Sequence, residues 1–104
     1  MPDEWVLAGK VSDISEGAAI IFEHENKKIA IFKSGGKFYA IDNTCPHRGG
    51  PLAEGHLENL EVTCPWHAWT FNLADGVCTT VPGARVKTYR VKIDGDALKV
   101  DIGS

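Results

Sequence analysis

The chain has 104 residues, of which 43% are hydrophobic and 24% charged, and its formal net charge at pH 7 is −3. This length allows one domain with a modest core, and the composition is typical of a globular protein of any function. Basic residues are not clustered beyond Lys27-Lys28, so we expect no nucleic-acid binding. No apolar run approaches the ~18 residues that cross a bilayer, and the start Met1–Glu4 is acidic. We therefore expect a cytoplasmic protein that binds no membrane.

Short alternating segments separated by turn residues predict β-strands along most of the chain. In chain order the predicted strands are Trp5–Ala8, Ala18–Glu23, Lys28–Lys33, Lys37–Ile41, Leu60–Thr63, Trp69–Asn72, Val77–Val81, Lys87–Ile93 and Ala97–Ile102. The pairs Gly35-Gly36, Asp75-Gly76 and Asp94-Gly95 predict hairpin turns. No segment has a long helical period, so we predict an all-β domain of about eight to ten short strands.

Three stretches are predicted to be loops. Asn43–Gly55 contains five prolines and glycines, too many for a regular element, while Cys64–His67 and Val81–Ala84 are shorter. Loops presented by a rigid scaffold are where functional side chains are usually found. The first two loops carry cysteine and histidine, and they are therefore the candidate site.

The candidate metal ligands are Cys45 and His47 in the first loop and Cys64 and His67 in the second. Sixteen residues separate the pair Cys45-Pro46-His47 from the pair Cys64-Pro65-Trp66-His67. Two thiolates and two imidazoles suit tetrahedral zinc, and they equally suit an iron–sulfur cluster with two cysteines on one iron and two histidines on the other. Spacing alone does not decide between these two.

The residues around the two pairs distinguish between these two metal centres better than the spacing does. Cys45–Leu52 and Cys64–Trp69 closely resemble the paired loops of Rieske-type ferredoxins, and Gly36–Thr44, Phe71-Asn72 and Pro82 extend the resemblance over about the whole chain. The resemblance implies an antiparallel β sandwich or barrel-like base with a small inserted cluster-binding subdomain, about residues 43–71, within a single domain spanning residues 1–104.

The same resemblance implies one 2Fe-2S cluster that carries one electron at a time. Cys45 and Cys64 would bind one iron as thiolates, and His47 and His67 would bind the other through ring nitrogens. An oxygenase would also need a mononuclear iron site, often two histidines and a carboxylate. Only His24 and His56 remain, so we expect an electron-transfer protein rather than an enzyme.

Four positions depart from the high-potential relatives of respiratory complexes. Those proteins carry a bridging disulfide where this chain has Gly50 and Trp66, and hydroxyls bonded to sulfur where it has Trp69 and Phe71. Hydrogen-bond donors to sulfur favour the reduced cluster. We therefore predict a potential near the low end of the Rieske range, about −150 mV.

A low potential suits electrons that come from NAD(P)H through a flavoprotein reductase and pass to a terminal oxygenase. The resemblance to ferredoxin components of bacterial ring-hydroxylating dioxygenase systems points the same way. The alternative is the small subunit of an NAD(P)H-dependent nitrite reductase, and a structural zinc module is the third possibility.

The remaining polar residues have simpler interpretations. Cys78 is predicted to be a small, half-buried strand residue without a metal, and its lone thiol fits a reducing compartment. His24 and His56 are predicted to be solvated, and Pro82 to shape a loop that covers the cluster. A solvated acidic face is expected to contain Asp42, Glu54, Glu58 and Glu61.

Overall fold

The structure, a computed structural model, describes residues 4–45, 49–66 and 68–102. These residues form ten β-strands: β1 (Trp5–Lys10), β2 (Ala19–His24), β3 (Lys27–Ser34), β4 (Lys37–Asp42), β5 (His56–Glu58), β6 (Glu61–Thr63), β7 (Thr70–Asn72), β8 (Thr88–Tyr89), β9 (Val91–Asp94) and β10 (Ala97–Asp101). Two short 3-10 helices, Val11–Asp13 and Leu52–Glu54, are the only helical turns in the described residues. The predicted all-β class is confirmed.

The strands form three antiparallel sheets. The first has the order β1-β10-β9, the second β2-β3-β4-β8 and the third β5-β6-β7. The third sheet is made of three-residue strands: β5 and β6 lie in sequence between the two loops that carry the cysteines, and β7 follows the second loop. No helix among the described residues is long and apolar enough to span a membrane.

The second sheet is the middle layer, because β3 is buried on both of its faces. Ile29 and Ile31 pack with Leu98 and Val100 of the first sheet. Ala30 and Phe32 point the opposite way, as alternate residues of a strand do, and join a core cluster that includes Val62 and Phe71 of the third sheet. The cysteines belong to this latter core, so the candidate site is built directly on the central sheet.

Two strand predictions are wrong. Val77–Val81 forms only isolated bridges, Val77 with Arg85 and Cys78 with Phe71. The backbone N–H groups of this segment turn to different partners in succession: Cys78 donates to the Ala84 carbonyl and Thr79 to the Thr70 carbonyl. A continuous β-ladder does not form here, because consecutive residues pair with different segments of the chain.

The predicted strand Lys87–Ile93 is divided at Arg90 into β8, which pairs with β4, and β9, which pairs with β10. The carbonyl of Arg90 accepts the N–H of Asp101, and its guanidinium binds the fully buried Asp101 carboxylate. The chain therefore passes from the second sheet to the first at this residue. Strand β5, directly after the glycine-rich loop, was not predicted, and Leu60 lies in the β5–β6 turn.

Candidate metal centre

Two of the four predicted ligands, Cys45 and Cys64, lie on the loops that follow β4 and β6. Neither forms a disulfide and both are buried, with 1% and 3% of their surface exposed. Predicted ligands His47 and His67 lie outside the described residues. Within those residues no three metal-binding side chains come together, so the proposed centre needs the two histidines to complete its ligand set.

The two cysteines sit in loops of the same backbone design. In the first cysteine loop (Cys45–Gly50), the Cys45 N–H donates to the Gly50 carbonyl at 2.9 Å, and the Gly49 N–H donates back to the Cys45 carbonyl at 2.8 Å. In the second cysteine loop (Cys64–Trp69), the corresponding distances are 2.7 Å to the Trp69 carbonyl and 3.1 Å from the Ala68 N–H. Each loop is thus closed on itself and presents its cysteine at the same point.

A left-handed residue allows each loop to close. Gly49 has φ 74° and Ala68 has φ 59°, and each lies four residues after its cysteine. Glycine adopts this conformation readily, whereas alanine is strained there. The strained Ala68 was missed in the sequence, because nothing in the identity of an alanine signals a positive φ.

Gly50 lies where the two loops approach each other. A Cβ on this residue would stand 2.7 Å from Sγ of Cys64 and 3.2 Å from Cγ of Trp66. The first of these distances is shorter than any carbon–sulfur contact, so only glycine fits here without a shift. The absence of a side chain at Gly50 therefore lets the backbone of the first loop approach the Cys64 sulfur closely.

Asn43 anchors the start of the first loop and was missed in the sequence. Its buried side-chain Oδ1 accepts the N–H of Ala53 at 2.8 Å, and its carbonyl accepts the N–H of Leu52 at 2.7 Å. These bonds bring the two ends of the loop together around Cys45. The only sequence signal was an asparagine directly before a breaker-rich stretch, a residue that often bonds nearby backbone.

Cys78 supports the neighbouring loop rather than standing on a strand. The residue is only 5% exposed, and its sulfur accepts the Val81 N–H at 3.3 Å and lies 3.4 Å from the Thr80 hydroxyl oxygen. Burial raises the pKa of the thiol, but hydrogen bonds from Thr80 and from backbone N–H groups outweigh it, and the pKa is lowered overall. The Thr80 hydroxyl also accepts the Thr70 N–H at 3.1 Å, which ties this loop to β7.

Asp42 is not part of a solvated acidic face, which corrects the prediction. The Tyr89 hydroxyl donates to Asp42 Oδ1 at 2.6 Å. Burial of Tyr89, followed by its hydrogen bond and the nearby charge of Asp42, raises the pKa of the phenol well above its usual value. Glu54, Glu58 and Glu61 are exposed as predicted.

The two remaining histidines lie outside the site. His56 is exposed on β5, 3.7 Å from Glu58, and His24 stacks on Phe22 at the edge strand β2. Phe71 is fully buried, and Trp69 packs on the core cluster that contains Phe71 and the cysteines. Neither side chain offers a hydroxyl.

The sequence profile of the Rieske 2Fe-2S domain matches residues 4–90. The chain belongs to this family. Its cofactor is accordingly a Rieske-type 2Fe-2S cluster, bound through cysteine and histidine ligands, and the protein transfers electrons. The site fits that group: two buried thiols that form no disulfide stand on matched loops, and Gly50 leaves beside the Cys64 sulfur a space that a Cβ would fill.

Several relatives cover almost all of the chain. The ferredoxin component of the naphthalene 1,2-dioxygenase system of Pseudomonas aeruginosa is 33% identical over 103 residues, which is 98% of this chain and 99% of the relative. A chain from the complex of reduced oxygenase and oxidised ferredoxin in carbazole 1,9a-dioxygenase is 25% identical, with a TM-score of 0.87 and coverages of 93% and 92%.

A Mycobacterium tuberculosis protein assigned as an NADH-dependent nitrite reductase small subunit has a TM-score of 0.92 at 20% identity, with coverages of 100% and 99%. At that identity the similarity shows the fold alone. The Rieske fold is therefore shared between the oxygenase ferredoxin and its predicted alternative, and the fold does not distinguish them.

Proposed function

We propose that the protein is the ferredoxin of a multicomponent oxygenase system, with Cys45, His47, Cys64 and His67 as the ligands of its cluster. The observation that carries the proposal is the matched pair of closed loops, each of which presents a buried thiol. When bound, the 2Fe-2S cluster accepts and releases one electron at a time. The protein holds, shields and orients this group, and turns over no substrate of its own.

The residues around the site have distinct tasks in this proposal. Cys45 and Cys64 bind as thiolates, and the closed backbone around each fixes the direction of its sulfur. Phe71 and Trp69 fill the space behind the second cysteine loop with apolar surface. Apolar side chains without a hydroxyl at these two positions disfavour the additional negative charge of the reduced state and keep the potential low.

The partners follow from the relatives. A flavoprotein ferredoxin reductase that oxidises NAD(P)H supplies the electron, and a terminal oxygenase receives it. Support comes from the ferredoxin component of the naphthalene dioxygenase system and from the carbazole dioxygenase complex of ferredoxin with oxygenase. We further propose that the protein acts in the cytoplasm, and that residues 1–104 form one domain with a cluster-binding subdomain at about residues 43–71.

The nitrite reductase small subunit remains the alternative, since a structural likeness of that kind is present. The two functions differ in their acceptor. Reduced protein mixed with a purified ring-hydroxylating oxygenase should be reoxidised and should support product formation. Stable co-purification with a large sirohaem protein, without electron transfer to any oxygenase, would instead establish the alternative.

The ligand assignment has an internal control, because the chain has three buried cysteines. We expect Cys45→Ser and Cys64→Ser each to lose the visible absorbance and most of the iron. Cys78→Ser keeps a hydrogen-bond acceptor for Val81 and should retain both. Equal iron content in all three variants would contradict the assignment, and stoichiometric zinc in colourless wild-type protein would establish a zinc module.

A further inference from the structure

Trp66 reaches from the second cysteine loop to the backbone of the first. A Cβ on Gly50 would lie 3.2 Å from Cγ and 3.3 Å from Cδ2 of the Trp66 indole, and 2.7 Å from Sγ of Cys64. The indole, the Gly50 backbone and the Cys64 sulfur therefore meet at one point. This contact joins residues 16 positions apart in the sequence.

The exposure of these residues is uneven. Trp66 leaves 59% of its surface in solvent, whereas the Cys64 that it adjoins is 3% exposed. Burial of the large apolar surface of a tryptophan is favourable, and only part of that surface is buried at Trp66. Here one part of the indole packs on Gly50 and the rest faces water. The indole therefore lies between solvent and the contact of Gly50 with the Cys64 sulfur.

The backbone hydrogen bonds within each loop do not hold the two loops together. The hydrogen bonds Cys45–Gly50 and Cys64–Trp69 close each loop on itself, so they fix its shape and not its distance from the other loop. A side chain from one loop that packs on the other fixes that distance. Gly50 is required for it, since any Cβ would push the indole and the sulfur away.

We propose that Trp66 is a positioning residue that clamps the two cysteine loops together and keeps water from the Cys64 sulfur. The inference rests on the proposed cluster site. Without the indole, water gains access to the sulfur and to the gap between the loops. The cluster is then released more readily, and the reduced state, which carries the greater negative charge, is better stabilised by solvent.

The test compares Trp66→Ala with Trp66→Phe, which keeps an aromatic ring, in purified cluster-loaded protein. The matched control is Leu7→Ala, which removes a similarly exposed apolar side chain (63%) from β1 in the first sheet. Two quantities are measured: the rate at which an iron chelator bleaches the visible absorbance, and the reduction potential.

We expect Trp66→Ala to bleach about tenfold faster, which corresponds to about 1.4 kcal/mol, and to have a more positive potential. Trp66→Phe should stay close to the wild type, and Leu7→Ala should match it in both quantities. Should Trp66→Ala yield no loaded protein, Trp66→Leu replaces it, with a smaller change in the same directions.

Wild-type values of both quantities in Trp66→Ala would overturn the proposal, as would faster bleaching with an unchanged potential. If the variant instead keeps both values and only raises the KM of the reductase or oxygenase for this protein, Trp66 is a docking residue and not a clamp. Wild-type protein that shows no 2Fe-2S spectrum would refute the proposed function itself, which separates the two failures.

Discussion

Gly49 and Ala68 occupy equivalent positions in two loops whose sequences differ. Each follows a buried cysteine by four residues, has a left-handed φ, and donates its N–H to the carbonyl of that cysteine. The first loop separates cysteine and histidine by one residue and the second by two. The common backbone shape therefore does not depend on identical spacing.

The alanine of this pair should tolerate, and gain from, replacement by glycine. The left-handed conformation strains an alanine by about 1–2 kcal/mol, while glycine costs about 0.5–1 kcal/mol in unfolded-chain entropy. We expect Ala68→Gly to raise the thermal midpoint of cluster bleaching by about 2–4 °C. Cluster content should be unchanged.

The matched control for that variant is Ala74→Gly, at an exposed turn residue without a positive φ. Only the entropic cost applies there, so its midpoint should fall by a similar amount. A fall in both variants would show that Ala68 carries no strain in the protein.

Asn43 is expected to be essential for the shape of the first cysteine loop. Asn43→Ala leaves the Ala53 N–H without its 2.8 Å acceptor, and an unsatisfied buried donor costs about 1–3 kcal/mol. We expect lower stability in urea unfolding and less bound iron after purification. Asn43→Ser, which offers a shorter acceptor, should recover part of the loss. A stability within about 0.5 kcal/mol of the wild type would contradict this role.

The sequence predicted the scaffold and the cysteines better than the local geometry. Alternation and turn residues located most strands, and Cys45 and Cys64 lie on loops as predicted. The division of the strand at Arg90 could not be predicted from the sequence, because it depends on the buried Asp101 of another strand. The bracing by Asn43 and the strain at Ala68 likewise arise from contacts within the folded loops, which no local pattern encodes.

The stability of the folded protein should depend on pH through Tyr89. The pKa of its phenol is raised in the folded protein, so its contribution to stability is complete below the unfolded pKa of about 10. That contribution is lost as pH rises above this value, because the unfolded chain then releases a proton that the folded chain retains.

The corresponding variant is Tyr89→Phe, which removes the hydrogen bond to Asp42. It should destabilise the protein by about 1.5–3 kcal/mol at pH 7, as for bonds to charged groups. The difference from wild type should shrink between about pH 9 and 11 when the free energy of unfolding is measured by urea titration. A difference that stays constant over that range would mean that the folded pKa of Tyr89 is not raised.

The reduction potential should be low, about −150 mV. The fully buried Phe71 and the half-buried Trp69 provide apolar surface without hydroxyl groups, so these two positions supply none of the hydroxyl donors that favour the reduced cluster. Spectroscopic redox titration under argon measures this quantity. A clearly positive potential would show that other donors to sulfur outweigh this effect.

The central claim is that two cysteines and two histidines hold one 2Fe-2S cluster. The most direct test is pulsed EPR of the dithionite-reduced protein, prepared with and without ¹⁵N-labelled histidine. The account predicts hyperfine couplings from two directly bound imidazole nitrogens, which change with the label. One of them should be lost in His47→Cys and the other in His67→Cys. A reduced cluster without coupled histidine nitrogen, with the g values of an all-cysteine ferredoxin, would contradict it.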